Sequence, residues 1–226
     1  MKLIAMETST RRLSVALWLD GRLFERNEDV PKGGSELLLP WVSQLLDEAG
    51  VALAEIDGIA FGAGPGGFTG LRLACGVAQG LAFGLDLPVL GVSSLEALAL
   101  AAYAGGTERM LASMDARMNE VYYAAYLIHD GATQTLLAPT VASPQGVRAP
   151  QGQEGTGWIG CGSGFVVYPD MLKASVVEMR ADSWPTAASV ARLAAPRLAR
   201  GEGVDAGLAA PLYVRDKVAL TTAERL

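Results

Sequence analysis

An α/β fold is predicted by two features of the sequence. Between Ile59 and Val92, a short apolar run ends at Phe61 and a glycine-rich run with one proline spans Gly62 to Gly70. A helical stretch then covers about Leu71 to Leu85, and a second apolar run, Val89 to Val92, follows Pro88. Ahead of this unit stand three strand-like segments joined by short polar turns. Strand, glycine loop, helix, strand is a layout in which unobstructed amides sit at a helix N-terminus and favour an anion.

Taken in order, Lys2 to Met6 reads as a strand, followed by the polar turn Glu7 to Arg12. Leu13 to Leu19 alternates as a second strand, Asp20-Gly21 makes a two-residue turn, and Arg22 to Glu28 returns as a third. Pro31 to Gly34 is a loop, and Ser35 is placed to cap a helix with Glu36 just inside it. Leu38, Val42, Leu45, Leu46 and Ala49 recur at helical spacing up to the stop at Gly50, while Leu37 and Trp41 form a second apolar flank. Pro40 removes one early hydrogen bond of that helix. The strand, glycine loop, helix and strand follow, then an alanine- and leucine-rich helix from about Ser94 to Tyr103. Three strands, helix, strand, helix, strand, helix is an α/β unit of the ribonuclease H type.

Gly105-Gly106 marks the expected boundary between a first domain, 1–105, and a second, 106–226. In the second, Met110 to Met114 and Val121 to Ile128 read as a strand pair. Ser143 to Gly157 reads as a loop, and Trp158 to Cys161 as a short strand entering a second glycine turn, Gly160 to Gly164. A short helix, a strand at Val176 to Met179 and a helix from about Thr186 to Arg200 complete a loose repeat of the first half. The tail Ala210 to Arg215 is extended and is expected to pack back on the body.

The totals exclude several classes of function. The 226 residues are half hydrophobic, yet no run approaches the ~18 uninterrupted apolar residues of a membrane span. The N-terminal run is interrupted by Glu7 and reads as a strand rather than a signal peptide. Two cysteines, Cys75 and Cys161, without metal-ligand neighbours, point to a reducing cytoplasm. A net charge of −6 argues against a broad nucleic-acid surface. The single histidine, His129, sits beside the turn signal Asp130-Gly131, so neither a Ser–His–Asp set nor a paired-histidine metal site can be built around it.

Two stretches carry the functional expectation. From Gly62, the loop runs Gly, four residues, Gly67, Phe68, Thr69, matching a Walker A pattern except where its lysine is required. That lysine neutralises the β- and γ-phosphates and phenylalanine cannot, so a P-loop NTPase is rejected. A tight turn and an anion site remain open as readings. The helix that follows is apolar on two sides. Leu73, Gly76, Val77, Gly80, Leu81 and Gly84 fall on one face at ~100° per residue, and Leu71, Ala74, Ala78, Ala82 and Leu85 on the other. One face belongs on the sheet. The glycine row on the other would let a second helix approach closely, from this chain or from a partner.

METST at the start, the GPGGFTGLR core of the glycine run, GVSSLEAL, MDARMNEVYYAAY and the tail APLYVR together resemble the TsaB (YeaZ) family. The resemblance implies a duplicated ribonuclease H-like fold of the actin, hexokinase and heat-shock-chaperone type. It also implies a role in threonylcarbamoylation of adenosine 37 in tRNAs reading codons that begin with A. In that family TsaB is the non-catalytic paralogue of TsaD, which transfers the group and carries a metal motif of the form N-H-L-E-G-H. The counterpart here is Ser93-Ser94-Leu95-Glu96-Ala97-Leu98, with both histidines replaced. A hydroxyl and an isobutyl group cannot stand in for two imidazoles, so no metal, cofactor or catalytic residue is expected.

The resemblance further implies pairing through the two first-domain helices, with TsaD or as a homodimer. The expected interface residues are Leu37, Trp41, Leu45, Leu73, Gly76, Val77, Gly80 and Gly84. The ATPase TsaE would dock near that junction, tRNA would be met only through the complex, and no membrane is involved. A vestigial nucleotide or anion pocket is expected at Glu7, Thr8, Ser9, Gly64, Gly66, Gly67 and Thr69. Family members usually carry aspartate where Glu7 stands, and the extra methylene shifts a carboxylate by about 1.5 Å. The alternative function is a stand-alone ATP-dependent phosphotransferase or glycoprotease-like enzyme.

Overall fold

The computed structural model describes residues 1–30, 34–150, 157–170 and 176–215. Strands β1 (Lys2–Glu7), β2 (Arg12–Leu19) and β3 (Arg22–Asp29) form an antiparallel meander. They are followed by α1 (Ser35–Ala49), β4 (Gly58–Gly64), α2 (Phe68–Leu85), β5 (Val89–Ser93) and α3 (Ser94–Ala102). The strand order is β3-β2-β1-β4-β5, with β4 parallel to β1 and β5 parallel to β4.

The second half repeats this plan. Strands β6 (Thr107–Arg117), β7 (Glu120–His129) and β8 (Ala132–Ala142) form the meander, and β9 (Trp158–Cys161) and β10 (Val176–Arg180) add in parallel beside β6. Read from the meander end, the order is β8-β7-β6-β9-β10, the same as in the first sheet. Helices α4 (Ser163–Val167) and α5 (Ala187–Ala199) complete the set. The fold is therefore α/β and a duplicated ribonuclease H-like one.

Residue alternation along the strands builds the layers. In β1, Leu3 and Ala5 face α3 and α5, while Ile4 and Met6 face α1 and α2. Met110, Ala112, Ala124 and Tyr126 of the second sheet belong to the same cluster as Leu3, Val190 and Ala194, so α3 and α5 are packed between the two sheets. Glu96 of α3 anchors this layer: its buried carboxylate accepts from Arg197 of α5 and from Thr133 of β8.

Four expectations need correction. A strand pair was expected in the second half, and the structure adds a third strand, β8. Its sequence, ATQTLLAPTVA, shows no clean alternation and contains Pro139, which an edge strand tolerates because its N–H need not join a ladder. The β7–β8 register shifts between Tyr123 and Ala125, beside that proline. Gly34, not Ser35, occupies the N-cap of α1, and the Glu36 carboxylate accepts from the Gly34 N–H at 3.2 Å. The glycine run is a turn only at its centre: β4 continues through Gly64 and α2 already begins at Phe68. The Asp115–Arg117 stretch, expected between strands, belongs to β6, and the turn to β7 follows it. Parts of two expected loops, residues 31–33 and 151–156, lie outside the described residues.

Candidate functional site

Helix α2 has one seated face and one open face. Leu71, Ala74, Cys75, Ala78 and Ala82 are buried against the first sheet, in a cluster that includes Ile59 and Phe61. On the other side, a Cβ added at Gly76, Gly80 or Gly84 would meet nothing within 4 Å. Leu73 and Val77 are half-buried beside them, and Phe83 is 83% exposed. By length and a mean hydropathy of 1.3, Phe68–Leu85 matches a membrane span, and here the helix lies on β4. An apolar helix with its flattest face uncovered is a surface onto which a second helix can close tightly.

Helix α1 lies on the same side of the sheet, over β2 and β3. Here the expected interface narrows. Leu37 is half-buried, but Trp41 and Leu45 are 8% and 1% exposed and pack in the core with Leu38, Val42 and Leu46. Their spacing shows that they are apolar. It does not show that the sheet beneath is broad enough to cover them. Trp41 and Leu45 are core residues beneath α1 and do not reach its surface.

The glycine turn is closed by the chain itself. Glu7, at the end of β1, is fully buried, and its carboxylate accepts the Ser9 N–H at 2.6 Å and the Ser94 hydroxyl at 2.8 Å. A Cβ at Gly62 would overlap that carboxylate, and one at Gly66 would strike Ser9. The Gly67 N–H donates to the Ser9 carbonyl at 2.7 Å, so the backbone amide expected to cradle an anion already holds the β1–β2 turn. Thr8 is buried and its hydroxyl donates to the Gly70 carbonyl at 2.7 Å. Gly64, at φ +115°, is pressed by Leu71 and by the Leu212 carbonyl. Thr69 is exposed in the first turn of α2. Burial without a cation pushes the Glu7 carboxyl above its ordinary value, against the lowering effect of its hydrogen bonds. The structure thus brings Glu7, Thr8, Ser9, Gly64, Gly66 and Gly67 together as a packed joint rather than an open cradle.

Ser94 and Leu98, which the family resemblance matches to the two motif histidines, are both fully buried. Ser94 serves Glu7, and Leu98 packs against Gly162, where an added Cβ would come within 2.5 Å of it. Among the described residues, no cluster of three or more His, Cys, Asp or Glu could hold a metal ion. His129, expected in the turn, is instead the exposed last residue of β7, and its ring nitrogen hydrogen-bonds the Thr107 hydroxyl at 2.6 Å.

Sequence reasoning missed how the tail reinforces the start of α2. The Leu212 N–H donates to the Ala63 carbonyl at 2.7 Å, and Tyr213 lies 5.9 Å from Phe68 between ring centroids. Arg72 stacks 3.9 Å over Phe68 and donates to the Tyr213 hydroxyl at 3.1 Å. Two residues on, Arg215 bonds the Ala116 carbonyl and Glu120 in the second half. An extended tail was expected to pack back. Arg72, the lone basic residue in an apolar helix, was the signal that a polar partner awaited it.

Residues 28–222 match the family model described as TsaD, tRNA N6-adenosine threonylcarbamoyltransferase. The protein named tRNA threonylcarbamoyladenosine biosynthesis protein TsaB of Escherichia coli (strain K12) is 36% identical, covering 97% of this chain and 96% of its own length. A tRNA N6-adenosine threonylcarbamoyltransferase of Trichlorobacter lovleyi is 38% identical over 46% of this chain and 35% of its own. The solved structure titled YeaZ from Pseudomonas aeruginosa superimposes with a TM-score of 0.87 at 45% identity, over 94% of this chain and 99% of that one. Full-length likeness in both sequence and fold makes this chain a member of the TsaB (YeaZ) family.

Proposed function

We propose that this protein serves tRNA threonylcarbamoyladenosine biosynthesis as a non-catalytic partner subunit. In this reading it docks onto TsaD through α2 and the flank of α1, works together with the ATPase TsaE, and meets tRNA only within that complex. The observation that carries the reading is the open face of α2, where Gly76, Gly80 and Gly84 lie uncovered between Leu73, Val77 and Phe83. Glycine in a helix interior costs about 1 kcal/mol relative to alanine. A run of three on an exposed face makes physical sense when another backbone must come close. The same face could pair two copies of this chain when TsaD is absent.

The replacement of the motif histidines supports the non-catalytic part. Ser94 and Leu98 are committed to packing, and the glycine turn is filled by Glu7 and Ser9. These features speak against the stand-alone phosphotransferase or glycoprotease reading.

Co-purification with TsaD tests the proposal. Gly80→Arg, which sets a long charged side chain on the open face, is expected to abolish the complex while leaving the isolated chain folded. An intact complex would refute the docking assignment. Calorimetry with Mg-ATP tests the alternative, and micromolar binding to the isolated chain would revive it.

A further inference from the structure

On the opposite side of the first sheet from α1 and α2, a cavity of about 260 Å³ is lined by Arg11, Arg12, Asp29, Asp182 and Trp184. The alternation of β2 sets its position. Leu13, Val15 and Leu17 face the docking helices, so Arg12 shares the other face with Ser14, whose hydroxyl accepts the Ala187 N–H at the start of α5. Asp29 lies directly across the β2–β3 ladder from Arg12.

The four charges are not paired alike. Arg11 and Asp29 neutralise one another at 3.1 Å, and the Arg11 guanidinium lies 5.3 Å from the centre of the Trp184 ring, forming a settled wall. Arg12 is half-buried, and its Nε is shut off from solvent with no acceptor. Neither its guanidinium nor the exposed Asp182 carboxylate makes a hydrogen bond or ion pair among the described residues. One cavity therefore holds an unanswered cation and an unanswered anion.

A guanidinium has donors only and takes a carboxylate in a two-point fork. A free anion would meet Asp29 and Asp182 in the same space, and a free cation would meet two arginines. The complement of both charges is a molecule carrying an oxyanion and an ammonium together. The volume equals that of roughly eight waters in the liquid, enough for a small amino acid and part of its hydration. We propose that this cavity binds a small zwitterion of the α-amino acid class, its carboxylate on Arg12 and its ammonium toward Asp182. Because the cavity faces away from the docking helices, the site can be tested on the isolated chain, and its failure would leave the partner-subunit reading untouched.

The test is a titration followed by nitrogen-resolved NMR at the Trp184 indole and the Arg12 amide, with glycine, inorganic phosphate and glycinamide as probes. Glycine is expected to give saturable shifts in the millimolar range. Phosphate, which lacks the ammonium, and glycinamide, which lacks the carboxylate, should bind about tenfold more weakly or not at all. Arg12→Gln should lose the glycine response. Asp182→Asn changes an exposed side chain, so the fold survives even where Arg12→Gln melts early. It should weaken glycine about tenfold and leave any phosphate response at least as strong. No saturable glycine response, phosphate binding as tight as glycine, or an Asp182→Asn variant that binds glycine like the parent would each overturn the site.

Discussion

Two groups of glycines, a few residues apart in sequence, do opposite things. At Gly62, Gly66 and Gly70 an added Cβ would run into Glu7, Ser9 or the Thr8 carbonyl, whereas at Gly76, Gly80 and Gly84 it would enter empty space. In the first group the missing side chain lets the β1–β2 turn close onto β4 and the start of α2. In the second group nothing among the described residues occupies the space. The contrast teaches that glycine density alone does not mark a ligand cradle: here the crowded glycines are structural, and the uncrowded ones lie on an open face of α2.

The comparison can be broken most forcefully at its crowded end. Gly70→Ala forces a methyl against the Thr8 backbone, which cannot swing aside like a side chain, and is expected to lower stability by about 3 kcal/mol. Denaturant unfolding measures this, and a loss below about 1 kcal/mol would show that the joint has slack. At the open end, Gly80→Arg should lower the affinity for TsaD by a hundredfold or more, about 3 kcal/mol of binding, with the melting temperature of the isolated chain unchanged or raised.

A subtler probe addresses what fills the closed turn. Burial raises the folded-state pKa of Glu7 above its ordinary value of 4.5, so the native chain keeps a proton that the unfolded chain has already released. The stability contributed by this group is whole below pH 4.5 and falls as pH rises toward the folded-state value. Glu7→Gln, which keeps the shape without the titration, should therefore gain stability relative to the parent as pH increases through that window. Parallel unfolding curves across pH would show that Glu7 is not buried uncharged. The smallest effect belongs to Gly80→Ala. With no clash to offset it, better helix propensity should raise the stability of the isolated chain by about 0.5–1 kcal/mol, or roughly 1–4 °C in melting temperature.

Much of this was legible without coordinates. The five first-half strands and helices downstream of β3 could all be placed from periodicity and stop signals, because apolar spacing and the breakers Gly50 and Pro88 act locally. The two faces of α2 separated on a helical wheel as they do in the fold. What escaped was what depends on neighbours distant in sequence. Strand β8 looked irregular because it is an edge strand interrupted beside Pro139, and Trp41 looked surplus because the breadth of the sheet beneath α1 cannot be counted from α1 alone. The glycine turn looked like a cradle because nothing local reveals that Glu7 and Ser9 fold into it.

By itself, the sequence determined the order of elements and the doubly apolar character of α2, since each of these is a matter of residue type and spacing. Only the tertiary structure decided which glycines are crowded and which are open, where Ser94 spends its hydroxyl, and that Arg12 and Asp182 share a cavity without meeting. The reason is physical: whether a side chain is covered, paired or left unanswered depends on groups brought near by the chain's return, and those distances are not written in local sequence.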